Sequence, residues 1–120
     1  MITTSYFSGK SPKNRRVCIA KRAPFWHGPV AKLFVPSNPW APDWQGSFRA
    51  DLAQRFTAAS ALADYLRQIE AETPNAILCC FESNPEECHR RVLAAYIQEQ
   101  LGEIIPEWVD TSPKQGNLLG

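Results

Sequence analysis

The feature that most constrains the fold is the apolar run "AILCCF", from Ala76 to Phe81, which stands between two helical patterns. A short, uninterrupted apolar run is typical of a parallel strand covered on both faces. Two earlier segments, near Ile2 to Phe7 and Arg16 to Ala20, are rich in β-branched and aromatic residues and predict two more strands. Strands that alternate with helices predict an α/β domain, here a Rossmann-like sandwich with a small, largely parallel sheet flanked by helices.

Helical patterns precede and follow this strand. Apolar residues recur at three- and four-residue steps from about Phe48 to Glu72, which predicts one long helix. After the strand, Asn84 can cap a helix, Pro85 suits its first position and Glu87 completes a capping box. Gly102 is placed to end that second helix. The later segment "IIPEWV" predicts a short strand at an edge of the sheet, where its proline is tolerated.

The length and charge of the chain limit the classes of protein it can belong to. With 120 residues and a net charge of +1, we expect a single domain over residues 1–110 and a flexible C-terminal tail over 111–120. The balanced charge does not favour nucleic acid as a partner.

No apolar run is long enough to span a membrane, and no secretory leader is visible. Adjacent cysteines argue against a disulfide scaffold, so we predict a cytoplasmic protein with reduced thiols. The sequence is compatible with a monomer and with a homo-oligomer.

The segment "ESNPEECHRR" concentrates the reactive side chains where the apolar strand ends. Ligands of parallel sheets bind beyond the carboxyl ends of the strands. The free backbone N–H groups of a helix start attract anions, and they lower the pKa of a nearby thiol. Cys88, His89 and Arg90 would lie in or near this first helical turn. Arg90 is suited to bind a phosphate or carboxylate through two hydrogen bonds.

Four interpretations of this segment compete. The first is a site that binds, with or without turnover, a nucleotide-like or other phosphorylated small molecule. The second is thiol chemistry, with Cys88 as nucleophile and Cys80 as its redox partner. The third is a zinc site, which the spacing disfavours because zinc ligands usually come as close-spaced pairs in two clusters. The fourth is packing, which suits Cys18 and Cys79 because both lie in apolar strands. We therefore predict no metal and no cofactor.

Further candidates lie at the same edge or in the long loop between Arg22 and Gly46. In the first interpretation His89 and Glu82 act as acid and base, and Cys88 is the catalytic candidate of the second. The tryptophan-rich loop also raises a third function, docking of a protein or nucleic acid. Trp40 and Trp44 are interpreted as a small core beneath the loop. The expected ligand-binding residues are Arg90, Lys21, Arg22, Trp26, His27, Cys80, Tyr6 and Ser8.

The segment "ILCCFESNPEECHRRVLAAYI" resembles the signature of the family called domain of unknown function 488. In that signature an apolar strand ends in Cys-x-Glu, and a short acidic turn then leads to Cys-His-Arg and a helix. The matching residues here are Cys80, Glu82, Cys88, His89 and Arg90. "TTSYFS" and "VCIAKRAPFWHG" are also similar, so the resemblance extends from about residue 3 to residue 101. It implies a compact α/β domain in which "AKRAPFWHG" and "CHRR" meet at one site, and it assigns no activity.

Overall fold

A computed structural model of the chain describes residues 1–82 and 88–110. Within these residues, three strands form one parallel sheet: β1 (Thr3–Tyr6), β2 (Arg16–Cys18) and β3 (Ile77–Cys80). The strand order is β1-β3-β2, so the apolar strand lies at the centre. The α/β class, the parallel sheet and the single domain are confirmed, while the Rossmann-like arrangement of layers stays a prediction.

The register of the sheet brings the three carboxyl ends to one edge. Tyr6 pairs with Cys80 across β1 and β3, and Cys18 pairs with Cys79 across β2 and β3. The prediction of a final strand at "IIPEWV" is wrong. Glu107 forms only an isolated parallel bridge with Thr4, and the N–H of Trp108 donates to the Thr4 carbonyl over 2.7 Å. The C-terminal segment thereby covers the outer edge of β1.

The predicted long helix is two helices, α1 (Trp44–Arg55) and α2 (Ala59–Glu72). The buried side chains of α1 are Phe48 and Leu52, whereas α2 buries Leu62, Leu66 and Ile69. At about 100° per residue, these five side chains would still fall on one stripe of a single straight helix, so the apolar period does not signal the break. The chain leaves the helix at Phe56, whose ring packs against Phe34 and Tyr65. Ala58, the N-cap of α2, is extended. A short 3-10 turn (Lys32–Phe34) precedes α1, and another (Lys13–Arg15) precedes β2.

The last helix, α3, spans His89–Leu101, with Cys88 as its N-cap in an extended conformation. The predicted start, with Asn84, Pro85 and Glu87, lies outside the described residues. The helix that carries His89 therefore begins four residues later than expected from Pro85. It ends at Gly102, whose φ of 68° is left-handed, as the C-cap prediction required.

The main core lies between the helices and one face of the sheet. The side chains of Val17, Ile19, Leu78 and Cys80 share one buried cluster with residues of all three helices. Arg16, on the other face, donates to the carbonyls of Phe7, Gly9 and Ser11, so the segment joining β1 to β2 folds over that face. Among the described residues, no helix is long and apolar enough to cross a membrane. The predicted tail, 111–120, is not among them.

Candidate functional site at the carboxyl edge of the sheet

A cavity of about 190 Å³ opens at the carboxyl edge, between the ends of β2 and β3 and the loop before α1. Two of the lining residues are tryptophans: Trp40 of the loop and Trp44, the first residue of α1. Polar groups are few, and they come from Lys21, Glu82 and His89. The cavity is lined by Ala20, Lys21, Pro39, Trp40, Trp44, Phe81, Glu82, Cys88 and His89.

Cys80 and Cys88 form a disulfide at the cavity, so the prediction of reduced thiols is wrong for this pair. Cys80 is the last residue of β3 and is fully buried, whereas Cys88 is the N-cap of α3 and lines the cavity. The Cα atoms are 6.9 Å apart. The pair therefore consists of one sulfur at the cavity wall and a second sulfur behind it.

His89 is buried and held in one orientation at the start of α3. Its Nε2 atom contacts the carbonyl oxygen of Ile19, which can only accept a hydrogen bond. We therefore assign the ring proton to Nε2, which leaves the lone pair on Nδ1, 4.0 Å from the sulfur of Cys88. The ring of Phe48 meets the imidazole edge to face, with centroids 5.4 Å apart. Two neighbours thus aim an unprotonated nitrogen at a cysteine.

The environment of His89 keeps the imidazole neutral. The pKa of His89 is lowered to about 4, mainly because burial disfavours the charged ring; the Ile19 carbonyl acts in the opposite direction, and the positive charge of Arg90 also lowers the pKa. At neutral pH the ring is therefore an acceptor at Nδ1 and does not carry a positive charge.

Arg90 lies behind the cavity and does not line it. Its side chain is 1% exposed, and Nε donates to Oε1 of Glu107 over 2.7 Å. Nη1 donates to the carbonyl of Glu82 and contacts the sulfur of Cys80 at 3.2 Å. The guanidinium carbon also lies 5.6 Å from the ring centre of Tyr6. The guanidinium therefore acts on the Cys80 sulfur, and the anion-binding role expected of Arg90 stays a prediction.

The two other cysteines lie away from this chemistry. Cys18 and Cys79 are free and buried. Burial raises the pKa of Cys79 to about 11 and also raises the pKa of Cys18. Both thiols are therefore protonated at neutral pH, which agrees with the packing role predicted for them.

The remaining predicted residues divide by distance from the cavity. Lys21 and Glu82 line it, and the Arg22 guanidinium lies 4.9 Å from the ring centre of Trp40. Trp26 does not line it. Its indole donates to the Pro29 carbonyl, and its ring packs against Phe7. Three more candidates are absent from the described cavity lining: His27 and Ser8, which are exposed, and Tyr6, which contacts Arg90 instead.

A basic surface adjoins the cavity and shares Lys21 with it. A shallow depression of about 380 Å³ has four cationic side chains in its lining, from Lys21, Arg22, Lys32 and Arg55. The only acidic side chain described in contact with them is that of Asp51, 3.9 Å from Arg55. This surface carries a net positive charge beside an aromatic wall.

Several site residues were not found from the sequence. The interpretation of Trp40 as part of a small core is wrong, because its side chain is 62% exposed and lines the cavity. Trp44 lines the cavity as well. Glu107 and Phe48 carried no signal, since both act through contacts distant in sequence. The aromatic content of the loop was the one signal that could have identified Trp40.

The sequence of residues 19–101 matches the family DUF488-N3a, described as the active DUF488-N3 subclade. The chain belongs to this family. The expected resemblance to domain of unknown function 488 is thereby confirmed, over a span that begins at Ile19 and not near Thr3. No curated protein and no solved structure matches the chain. The DUF488-N3a span contains every residue that lines the cavity, whereas Glu107 lies outside it.

Proposed function

We propose that this DUF488-N3a protein is a thiol-dependent enzyme or redox protein. Cys88 reacts with a small molecule in the cavity, and Cys80 is its partner thiol. The observation that carries the proposal is the bonded pair itself: one sulfur lies at the cavity wall and the other directly behind it. The other two cysteines have no such access.

Each sulfur of the pair has a neighbour that favours its reactive form. In the reduced protein, Cys88 occupies the N-cap, where the free N–H groups of the first turn stabilise a thiolate. The lone pair of His89 Nδ1 is placed to accept the thiol proton. The guanidinium of Arg90 stabilises negative charge on Cys80, which makes Cys80 a better attacking or leaving group.

The proposed reaction is thiol–disulfide exchange. The Cys88 thiolate attacks one sulfur of a substrate disulfide, forms a mixed disulfide and expels the other half of the substrate as a thiolate. The Cys80 thiolate then attacks the Cys88 sulfur, expels the second half, and leaves the Cys80–Cys88 disulfide. A small thiol or dithiol reductant regenerates the two free thiols. Two electrons pass from the cysteine pair to the substrate in each cycle.

The cavity wall indicates the kind of molecule that would bind. The indoles of Trp40 and Trp44 offer flat apolar surfaces, and Lys21 supplies a positive charge. Such a wall suits a planar or aromatic group that carries an anionic substituent. Glu82 is placed to accept a hydrogen bond from a hydroxyl or amine of that molecule.

An aromatic disulfide that bears carboxylates, 5,5′-dithiobis(2-nitrobenzoate), tests the proposal. We expect the reduced protein to release two nitrothiobenzoate anions rapidly per chain, one at each exchange step. Cys80→Ser should release only one and retain the other half as a mixed disulfide on Cys88, visible by mass spectrometry. Cys88→Ser should lose the rapid phase.

The matched control is Cys79→Ser, which changes the neighbour of Cys80 and should leave the two-step release intact. Rapid release that survives Cys88→Ser, or a mixed disulfide that forms on another cysteine, would refute the proposal.

A second candidate function, compatible with the first, is recognition of a nucleotide-like or other phosphorylated small molecule. The observation that favours it is the basic surface of Lys21, Arg22, Lys32 and Arg55 beside the aromatic wall. In this arrangement the phosphate lies on the basic surface and the base stacks on Trp40. Docking of a protein or nucleic acid through the loop stays a prediction.

Calorimetry with adenosine and its monophosphate tests this candidate. We expect the phosphate to strengthen binding at least roughly tenfold, and Lys32→Ala to remove that gain. Lys13→Ala, which changes an exposed lysine of the first 3-10 turn, is the control. Equal affinity for both ligands, or equal loss in both variants, would contradict it.

A further inference from the structure

We propose that the reduced protein binds one zinc ion through Cys80, Cys88 and His89, with the fourth coordination position open to the cavity. The inference rests on the proposed function in one respect, because both require the two cysteines to be available as thiolates in the folded protein. It adds a ligand class and a form of regulation to the same site.

The three donor atoms already lie together. The two sulfurs and a ring nitrogen of His89 are all within 4.8 Å of one another, and all three residues are buried. Tetrahedral zinc, with bonds of about 2.3 Å to sulfur and 2.0 Å to nitrogen, holds such donors roughly 3.5–3.8 Å apart. The Cα separation of 6.9 Å lies just beyond the span that disulfides usually bridge, about 4.4–6.8 Å, so the backbone leaves room for the sulfurs to separate.

His89 is oriented as a metal-binding histidine usually is. A ligand histidine donates its second ring N–H to a carbonyl or carboxylate, which fixes the ring and the tautomer. Here Nε2 contacts the Ile19 carbonyl, so Nδ1 presents its lone pair toward Cys88. Phe48 holds the ring from its side. No rotation of the imidazole is needed to place a neutral nitrogen ligand at the cysteine pair.

Arg90 supports the cysteine ligand in the same way. Its Nη1 lies 3.2 Å from the sulfur of Cys80, as a donor to a metal-bound thiolate would. The carboxylate of Glu107 balances the charge of the guanidinium. Two thiolates balance the charge of Zn²⁺, so the site is electrically neutral in its buried surroundings, and thiolate with imidazole is a donor set that selects zinc.

The fourth position and the redox chemistry give the site its function. Three protein ligands and one open position are typical of catalytic zinc sites, and Cys88 and His89 border the cavity. Binding of Zn²⁺ releases the two thiol protons, and it excludes the Cys80–Cys88 disulfide. Oxidation by a disulfide or by hydrogen peroxide removes two electrons from the thiolates, joins them as the Cys80–Cys88 disulfide and releases Zn²⁺. The oxidant takes up the two electrons and two protons and becomes two thiols or two waters. The bound metal thus protects the reduced pair until an oxidant removes it.

The spacing of the sequence disfavours zinc because Cys80 and Cys88 are eight residues apart and not a close pair. The fold nevertheless brings the two cysteines together. The end of β3 and the start of α3 lie at the same edge, so a strand residue and an N-cap residue supply adjacent ligands.

The test is a Zn²⁺ titration of the full chain, in competition with a chromophoric chelator. We expect one Zn²⁺ per chain in the reduced, metal-stripped protein, and at least roughly 100-fold weaker binding after oxidation, since zinc requires thiolates. Oxidised and reduced wild type are compared directly, so this result does not depend on a variant folding. Co²⁺ in place of Zn²⁺ should give the thiolate-to-metal charge-transfer band of a tetrahedral site.

Variants then identify the ligands. His89→Gln keeps an N–H for the Ile19 carbonyl but loses the Nδ1 lone pair, and it should weaken binding at least roughly tenfold. Cys18→Ser, at a buried cysteine outside the site, should bind as the wild type does. Equal Zn²⁺ affinity in the oxidised and reduced proteins, or a His89→Gln affinity equal to that of Cys18→Ser, would overturn this ligand set.

The two proposals fail in different ways. A reduced protein that binds no Zn²⁺ but still releases two nitrothiobenzoate anions refutes the metal site and leaves thiol exchange standing. A protein that binds Zn²⁺ through these residues but, when metal-free, does not react with the aromatic disulfide supports the metal site and refutes thiol exchange.

Discussion

Cys79 and Cys80 are neighbours in β3, and their side chains point to opposite faces of the sheet. Both are fully buried. Cys79 shares its face with Cys18 and Arg16, and burial raises its pKa to about 11. Cys80 faces the helices, where it contacts the Arg90 guanidinium and is bonded to Cys88. A shift of one residue along the strand separates a thiol that we expect to be inert from one that we propose to be reactive.

Burial alone does not distinguish these two cysteines. Exposure is the same for both, so the difference comes from the groups that each sulfur meets. Arg90, His89 and the N-cap of α3 are all on the Cys80 side. Three expected outcomes, from the largest effect to the smallest, test whether these neighbours account for the contrast.

The largest expected effect is on alkylation of the reduced protein. At pH 8, a thiol with a pKa of about 11 is ionised in only about one molecule in a thousand. We therefore expect iodoacetamide to modify Cys88 roughly 1,000-fold faster than Cys79, a difference equivalent to about 4 kcal/mol. Mass spectrometry with peptide fragmentation distinguishes Cys79 from Cys80. Similar alkylation rates at Cys79 and Cys88 would contradict the expected difference in reactivity between the two thiols.

The second expected effect is on stability, through the ion pair that holds Arg90 beside Cys80. Glu107→Ala removes a carboxylate from a guanidinium that is 1% exposed, and we expect a loss of about 3 kcal/mol in the free energy of unfolding. Denaturation of the reduced protein by urea measures it.

The control for that loss is an exposed ion pair of the same kind. Arg49 and Glu99 are paired on the surface, with side chains 42% and 52% exposed. Glu99→Ala should cost no more than about 0.5 kcal/mol. Equal losses in the two variants would mean that Arg90 is not held by a buried pair.

The third expected effect is a pH dependence from His89. Its pKa in the folded protein, about 4, is below its ordinary value of 6.5, so protons bind more strongly to the unfolded chain. This contribution to stability is complete above about pH 6.5 and is lost as the pH falls toward 4. It amounts to about 3 kcal/mol at most, and screening or local opening would reduce it.

Unfolding experiments between pH 7 and pH 4 measure this effect when a chelator keeps the protein free of metal. His89→Gln should flatten the pH dependence relative to the wild type, whereas His27→Gln, at the exposed histidine, should not. If the free energy of unfolding depended on pH in the same way in all three proteins, the pKa of His89 would not be lowered in the folded protein.

The sequence was sufficient to predict β3. The apolar run predicted a parallel strand covered on both faces, and the side-to-side alternation of a strand separates Cys79 from Cys80. The matching of Cys80, Glu82 and Cys88 to one family signature then placed them at one edge. These features are local, so short segments of sequence carry them.

The sequence could not predict contacts between distant segments. The pairing of Arg90 with Glu107 depends on the C-terminal segment crossing β1, and nothing near Glu107 signals it. The break between α1 and α2 leaves no trace in the apolar period, because the buried residues of both helices would fall on one stripe of a single helix. The exposure of Trp40 depends on how the long loop lies over the sheet edge. Each of these requires the three-dimensional arrangement of separate elements.

The central claim is that Cys80 and Cys88 form one reacting pair from which Cys18 and Cys79 are excluded. The most direct measurement is limited oxidation of the reduced protein by one equivalent of a small disulfide, followed by peptide mapping with fragmentation across residues 79 and 80. We expect a single crosslink between Cys80 and Cys88, with Cys18 and Cys79 recovered as free thiols. A crosslink that involves Cys79 or Cys18, or four thiols that all remain free, would contradict it.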